Sequence, residues 1–276
     1  MAEKSIVLVT GGNTGVGYES VKALYTSPNA HLILMGSRSL NKAHAAIKAL
    51  QSEVSDSKSE IAPIQIDIED DTSIEKLNKD IETRYGKLDV LVNNAGGSHD
   101  AVMRENPTPA GIREAWDHTY SLNVTSTQVL THTLIPLLLK STQTPRILFV
   151  TSGMSSLDTC AGGKSLSATA KTGLPTIPKG WPKPPVLSQI AYRSSKVALN
   201  MMMLEWQRFL KEDGVKVFCV SPGFLATNLG GLGPEKLKQM GAVDPSLGGK
   251  LIKDVVEGKR DDDFGKVVKA DGVQAW

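Results

Sequence analysis

The chain opens on an unbroken apolar run, Ile6, Val7, Leu8 and Val9, inside a strand pattern over residues 5–10. The turn Thr10-Gly11-Gly12-Asn13-Thr14-Gly15-Val16-Gly17 follows, and then a helical stretch through Val21, Leu24 and Tyr25. A strand without polar alternation must be covered on both faces, as in a parallel sheet between two helix layers. Each glycine of the turn answers a separate steric need. Gly11 makes the tight turn, Gly15 lets the backbone come close to a phosphate, and Gly17 lets helix and strand pack closely. Asn13, Thr14 and Val16 complete the loop, and the helix N-terminus offers unpaired N–H groups and the positive end of its dipole to an anion. Glycine turns often follow strands for structural reasons alone. The strand before and the helix after are the context a dinucleotide site requires, and they predict one here.

The alternation continues along the chain. Strands are predicted at 31–36, 63–67, 90–93, 146–152, 215–221 and, briefly, 265–269, with helices at 41–52, from Thr72 to near Tyr85, through 111–140 and over 188–211. Ser39 is placed to cap the second helix, and Thr72 with Glu75 forms a capping-box pattern for the third. Repeated units of this kind predict an α/β fold: a Rossmann-type doubly wound parallel sheet of about seven strands with helices on both faces. With 276 residues and no internal linker, the chain reads as a single domain, 1–276. One segment breaks the rhythm. Residues 155–187 carry Pro175, Pro178, Pro182, Pro184 and Pro185, too dense for a strand or helix. This insertion is either an excursion over the site or a surface elaboration.

Charge and cysteine usage exclude several classes. The 31 basic and 29 acidic residues leave a formal charge of +2, against a nucleic-acid binder with its clustered basic excess. Cys160 and Cys219 lie too far apart for a disulfide framework, and they read as small hydrophobes in a reducing compartment. None of His31, His44, His99, His118 and His132 stands at metal-ligand spacing, so no metal is expected. No apolar run reaches the roughly 20 residues of a bilayer span, and the first residues are unlike a secretory signal. The expectation is a cytoplasmic protein whose partner is a small molecule, with neither nucleic acid nor membrane.

The second strand ends in Gly36-Ser37-Arg38. An NAD site places an acid there for the ribose 2′-hydroxyl, whereas an arginine suits a 2′-phosphate, so Ser37 and Arg38 favour NADP; the alternative is an exposed arginine at a loop start. Asp67 and Ile68, closing the third strand, stand where an adenine ring is held, although Asp67 equally suits a turn cap. Tyr192 and Lys196 fall at i and i+4 on one face of the helix over 188–211. A cation beside a phenol favours the phenolate. Taken alone, such a pair occurs by chance on many helices.

The company of these residues is more specific. Asn93-Asn94-Ala95-Gly96 follows the fourth strand, Asn123 lies in Ser-Leu-Asn-Val, Ser152 in Val-Thr-Ser-Gly, and Ser221-Pro222-Gly223 follows the sixth strand. With the glycine turn, Tyr192 and Lys196, these motifs make the chain resemble the short-chain dehydrogenase/reductase family over residues 5–225, the last fifty being more divergent. The resemblance implies Asn123, Ser152, Tyr192 and Lys196 as catalytic residues. Tyr192 would protonate a carbonyl oxygen as hydride arrives, and Ser152 would orient that oxygen. Lys196 would lower the Tyr192 pKa and hold the nicotinamide ribose, and Asn123 would kink its helix and hold a water leading to Lys196. Asn94, Ala95 and Gly96 would line the cofactor, with Pro222, Gly223 and Leu225 near its nicotinamide.

Two departures from the family pattern matter. Ser152 and Tyr192 are forty residues apart because the proline-rich segment intervenes. Some monomeric carbonyl reductases of the family carry an insertion there, so monomer and homo-oligomer both stay open. Thr14 stands where many NADP-dependent members have a basic residue, which leaves more of the phosphate recognition to Arg38. Residues 224–243 form the variable substrate loop, whose glycines suggest a flexible flap. Trp181, Met154, Phe224 and Leu225 are candidates for an apolar pocket wall or for simple packing, and His99 for the site or for solvent. The function implied is an NADPH-dependent oxidoreductase that reduces a ketone or aldehyde to an alcohol, with a bulky apolar or aromatic substrate. The alternatives are a non-redox cyclase or lyase, or an NADPH-sensing regulator, on the same fold.

Overall fold

The structure, a computed structural model, describes residues 4–162, 177–181, 183 and 189–276. Its centre is one eight-stranded sheet in the order β3-β2-β1-β4-β5-β6-β7-β8. The strands are β1 (Ser5–Val9), β2 (His31–Ser37), β3 (Glu60–Gln65), β4 (Val90–Asn93), β5 (Arg146–Val150), β6 (Lys216–Val220), β7 (Val267–Lys269) and β8 (Gly272–Val273). Every neighbouring pair is parallel except β7–β8, which is antiparallel. An eighth strand joins the about seven expected, its two residues being too few to show any periodicity. Pro63 pairs with Met35 in β3, at the sheet edge, where a missing N–H is tolerated.

Adjacent residues of each strand feed opposite cores. Leu8, Leu34, Leu91, Phe149 and Val217 face the layer of α3 (Asp71–Tyr85), α6 (Ser126–Leu138) and α8 (Ile190–Phe209). Val7, Val9, Met35, Val92 and Phe218 face α1 (Gly15–Tyr25), α2 (Leu40–Glu53) and α10 (Ser246–Val256). This two-sided burial is why the strands read as continuous apolar runs. Gly249 of α10 lies so close to α1 that an added Cβ would sit 2.4 Å from the Glu19 carbonyl carbon and oxygen.

Local chemistry explains the element ends. Ser39 caps α2, accepting from Lys42 N, whereas α3 is capped by Asp70, accepting from Thr72 N, in place of the Thr72 and Glu75 pattern. A carboxylate is the stronger acceptor at a helix N-terminus. The expected helix over 111–140 divides into α5 (Pro109–Tyr120), a single π-turn at Ser121–Thr125 and α6. Short α4 (Asp100–Glu105) precedes it, α7 (Leu157–Ala161) follows β5, and α9 (Pro234–Gln239) lies in the loop after β6. Of the two thiols, Cys219 is buried as expected, while Cys160 is exposed. Among the described residues no helix is long and apolar enough to cross a membrane.

Candidate active site

The strand order reverses between β1 and β4, and the segments leaving β1, β4, β5 and β6 all emerge at the carboxyl edge of the sheet. Open α/β sheets hold ligands at such a switch point. Gly11 and Gly15 take φ of 63° and 55°, in the left-handed region. A Cβ on Gly17 would lie 2.3 Å from Gly11 O and 2.5 Å from Asn94 Nδ2. The α1 N-terminus has no side-chain cap from Thr14 and no acid in its first turn. A glycine-walled cradle over uncapped helix amides fits the phosphates of a dinucleotide. The cleft beside Asn13, Thr14 and Gly15 is about 370 Å³ and is also lined by Tyr18, Thr227 and Asn228. Thr227 belongs to the expected substrate loop, and its place against the glycine turn was not readable from spacing.

Asn94 and Thr10 lace β1 to β4. Asn94 Nδ2 donates to Thr10 O at 2.8 Å, and Thr10 Oγ1 accepts from the N–H groups of Asn94 and Ala95, both at 3.0 Å. The Asn94 side chain therefore shapes the turn itself. Ser37 is buried, and Arg38 is exposed without an ion-pair partner among the described residues. Asp67 accepts from Glu69 N at 3.2 Å, the turn-capping alternative, and Ile68 packs into the core.

Tyr192 lies in the first turn of α8, buried, with its phenol near the side chain of Ser152, the residue after Thr151 at the end of β5. One turn further along α8, the Lys196 ammonium is 5.6 Å from the centre of the Tyr192 ring and donates to Val150 O at 2.9 Å. Burial pushes the lysine down to about 8. It pushes the Tyr192 phenol up to about 12; the Ser152 side chain acts downward and the Asp100 charge, more weakly, upward. The expected lowering by Lys196 is not among these influences: at this separation burial dominates. Asn123, in the π-turn, donates to Gly97 O at 2.8 Å and to Ser195 Oγ at 2.9 Å, and accepts from Gly97 N at 2.9 Å. It braces the loop after β4 against α8. A Cβ on Gly96 would stand 2.8 Å from Asn123 Oδ1 and 3.4 Å from Lys196 Nζ.

A buried polar cluster backs Ser152. Ser155 Oγ donates to Ser152 O at 2.7 Å and accepts from Asn200 Nδ2 at 3.0 Å, and Thr151 Oγ1 donates to Asn200 Oδ1 at 2.9 Å. Gln274, beyond β8, donates to Ser155 Oγ at 3.1 Å and Ser152 O at 3.3 Å. None of Thr151, Ser155, Asn200 or Gln274 had a sequence signal, because their burial is a tertiary fact.

After β6, Gly223 takes φ of 106°, and Leu225 is buried and bridges to Val243. Gly248 of α10 admits this loop: its Cβ would meet Leu225 Cδ1 at 2.5 Å and Pro222 Cβ at 3.0 Å. The segment 224–243 has α9 and a small core of Ala226, Leu237 and Ala242 with Phe224 and Leu232, more built than a glycine flap. Trp181 is 87% exposed. His99 is half-buried, edge-on to the ring of His118 at 5.4 Å. Residues 163–176, 182 and 184–187 of the proline-rich insertion, and Ser188 at the start of the expected helix, lie outside the described residues, and with them the question of what the insertion covers.

Comparison with known proteins identifies the family. The short chain dehydrogenase family matches residues 5–177 and 182–236. The short-chain dehydrogenase/reductase tropE of Talaromyces stipitatus is 43% identical over 272 residues, covering 99% of this chain and 97% of its own. The short-chain dehydrogenase/reductase eupG of a Phoma species is 42% identical over 281 residues, covering 99% and 98%. Among solved structures, the NADPH-bound carbonyl reductase from chicken fatty liver shares the fold, with a TM-score of 0.71 at 22% identity and full coverage of both chains. The chain belongs to the short-chain dehydrogenase/reductase family of oxidoreductases.

Proposed function

We propose that this short-chain dehydrogenase/reductase is an NADPH-dependent carbonyl reductase that converts a ketone or aldehyde to an alcohol in the cytoplasm. The observation that carries the reading is the buried Tyr192 phenol near the Ser152 side chain, with Lys196 one turn away, beside the glycine cradle of an uncapped helix. Gly11 to Gly17 would hold the pyrophosphate, Ser37 and Arg38 the 2′-phosphate, and Asn94 to Gly96, Lys196, Pro222, Gly223 and Leu225 the nicotinamide half. The dinucleotide supplies hydride when bound.

The chain's own groups supply the rest. A phenol raised to about 12 is protonated at neutral pH, so Tyr192 Oη has a proton to give to a carbonyl oxygen as that oxygen gains negative charge. Ser152 Oγ orients the same oxygen by a hydrogen bond. With the lysine at about 8, the Lys196 ammonium remains largely charged at neutral pH, and in a site this buried its field favours negative charge on the oxygen. Asn123 positions α8 against the loop after β4. A bulky apolar or aromatic carbonyl compound suits the apolar side chains of the 224–243 loop, Phe224 and Leu232 among them.

The test is oxidation of NADPH and of NADH by the purified protein across quinones, aromatic ketones and aliphatic ketones, with Tyr192→Phe alongside. Turnover is expected to prefer NADPH and to fall by about 10²–10⁴-fold in the variant, the usual contribution of a positioned general acid. Wild-type turnover by Tyr192→Phe would overturn the reading.

A further inference from the structure

Asp100 is fully buried, and no cation pairs with its carboxylate among the described residues. Its oxygens accept from three donors: Oδ1 from Ala191 N and Oδ2 from Tyr192 N, both at 3.0 Å, and Oδ2 again from the Ser98 hydroxyl at 2.9 Å. The first N–H groups of a helix have no partner within it, and Gln189, in the cap position of α8, makes no side-chain cap bond. A residue more than ninety positions earlier therefore caps the helix that carries Tyr192. A buried carboxylate without a counter-ion is costly, and the positive helix end with two amide donors offsets that cost.

We propose that Asp100 is a positioning residue for carbonyl reduction: by accepting from the N–H groups of Ala191 and Tyr192 its carboxylate fixes the first turn of α8, and with it the place of the Tyr192 hydroxyl. The inference rests on the reading of Tyr192 as the proton donor. A single hydroxyl would accept from one of these amides, whereas the two carboxylate oxygens accept from both. Among the described residues, the other charged or titratable groups around Tyr192 are few. Lys196 lies on α8 itself, and Arg193, next to Tyr192, turns its Nε to Met154 O at 3.3 Å. His99 precedes Asp100, with its ring against His118. From β5 and the turn after it come only the Val150 carbonyl, on Lys196, and the Ser152 hydroxyl. Cys219 of β6 acts on Lys196, and the raised thiol stays neutral.

The test compares the wild type with Asp100→Asn, Asp100→Ala and Tyr192→Phe, using kcat and KM of carbonyl reduction at saturating NADPH, the Kd of NADPH and thermal melting for each. Asp100→Asn keeps one oxygen to accept from the helix amides and Asp100→Ala keeps none, so kcat is expected to fall by about tenfold in the first and further in the second while the NADPH Kd stays unchanged. If melting shows Asp100→Ala unfolded, Asp100→Asn is read in its place. A kcat within about twofold of wild type in the folded variant, or a loss of kcat no greater than the loss of NADPH affinity, would leave Asp100 as a structural cap only and overturn the inference. Full turnover by Tyr192→Phe is the separate result that removes the underlying reading of the tyrosine.

Discussion

Tyr192 and Lys196 share one helical turn and one environment, and burial drives each toward its neutral form: the phenol up to about 12, the ammonium down to about 8. For Lys196 the consequence for stability has a definite sign. An unfolded lysine titrates near 10.5 and the folded one near 8, so the cost of burying the charge is complete below about pH 8 and is relieved between those values. Replacing Lys196 by Met is therefore expected to stabilise the protein near neutral pH by about 1–2 kcal/mol, or roughly 2–8 °C in melting temperature, even as Val150 O loses its donor. That gain should shrink as the pH approaches 10.5, and reductase activity should be lost. Melting the variant and wild type in parallel across pH checks both the size and the trend. The tyrosine–lysine spacing was legible in the sequence because helical geometry alone puts positions i and i+4 together. Asp100 was not legible, since an acid in a loop after a glycine motif reads as solvent-facing until its partners at 191 and 192 are known.

At the scale of elements, the two glycines at the head of α10 have different neighbours. An added Cβ at Gly249 meets the Glu19 backbone, which cannot step aside, whereas at Gly248 it meets the Leu225 side chain first. Gly249→Ala is expected to push α10 off α1 and cost about 1–3 kcal/mol in urea unfolding, as overpacking does. Gly248→Ala should cost about 1 kcal/mol or less but weaken NADPH binding, because Leu225 and Pro222 must move; isothermal titration beside the unfolding curve separates the two effects. The strand and helix alternation was readable because both faces of the sheet are buried, and Asn123 announced the break that the π-turn makes between α5 and α6. Helix α10 was missed because a Gly-Gly pair lowers helix propensity. What requires those glycines is the closeness of α1, which no local pattern reports.

For the molecule as a whole, the doubly wound order gathers residues 10, 94, 152, 192 and 222 from five separate segments along one edge. A ligand binding only this assembled edge stabilises the fold by mass action, about 2.7 kcal/mol at a hundredfold excess over its Kd. NADPH is accordingly expected to raise the melting temperature by roughly 5–10 °C and NADH, at the same concentration, by less. Arg38→Ala should bring the two curves together, and thermal melts of both proteins with each dinucleotide decide it. The edge also has a history in time. Ser152 and Ser155 are backed by Gln274, 122 residues beyond Ser152. At a synthesis rate of about 5–20 residues per second, the ribosome reaches that glutamine roughly 6–25 seconds after it has made the serine. A growing chain can thus lay down β1 to β6 and close the glycine cradle, yet the Gln274 contact behind Ser152 waits until 122 further residues have been made.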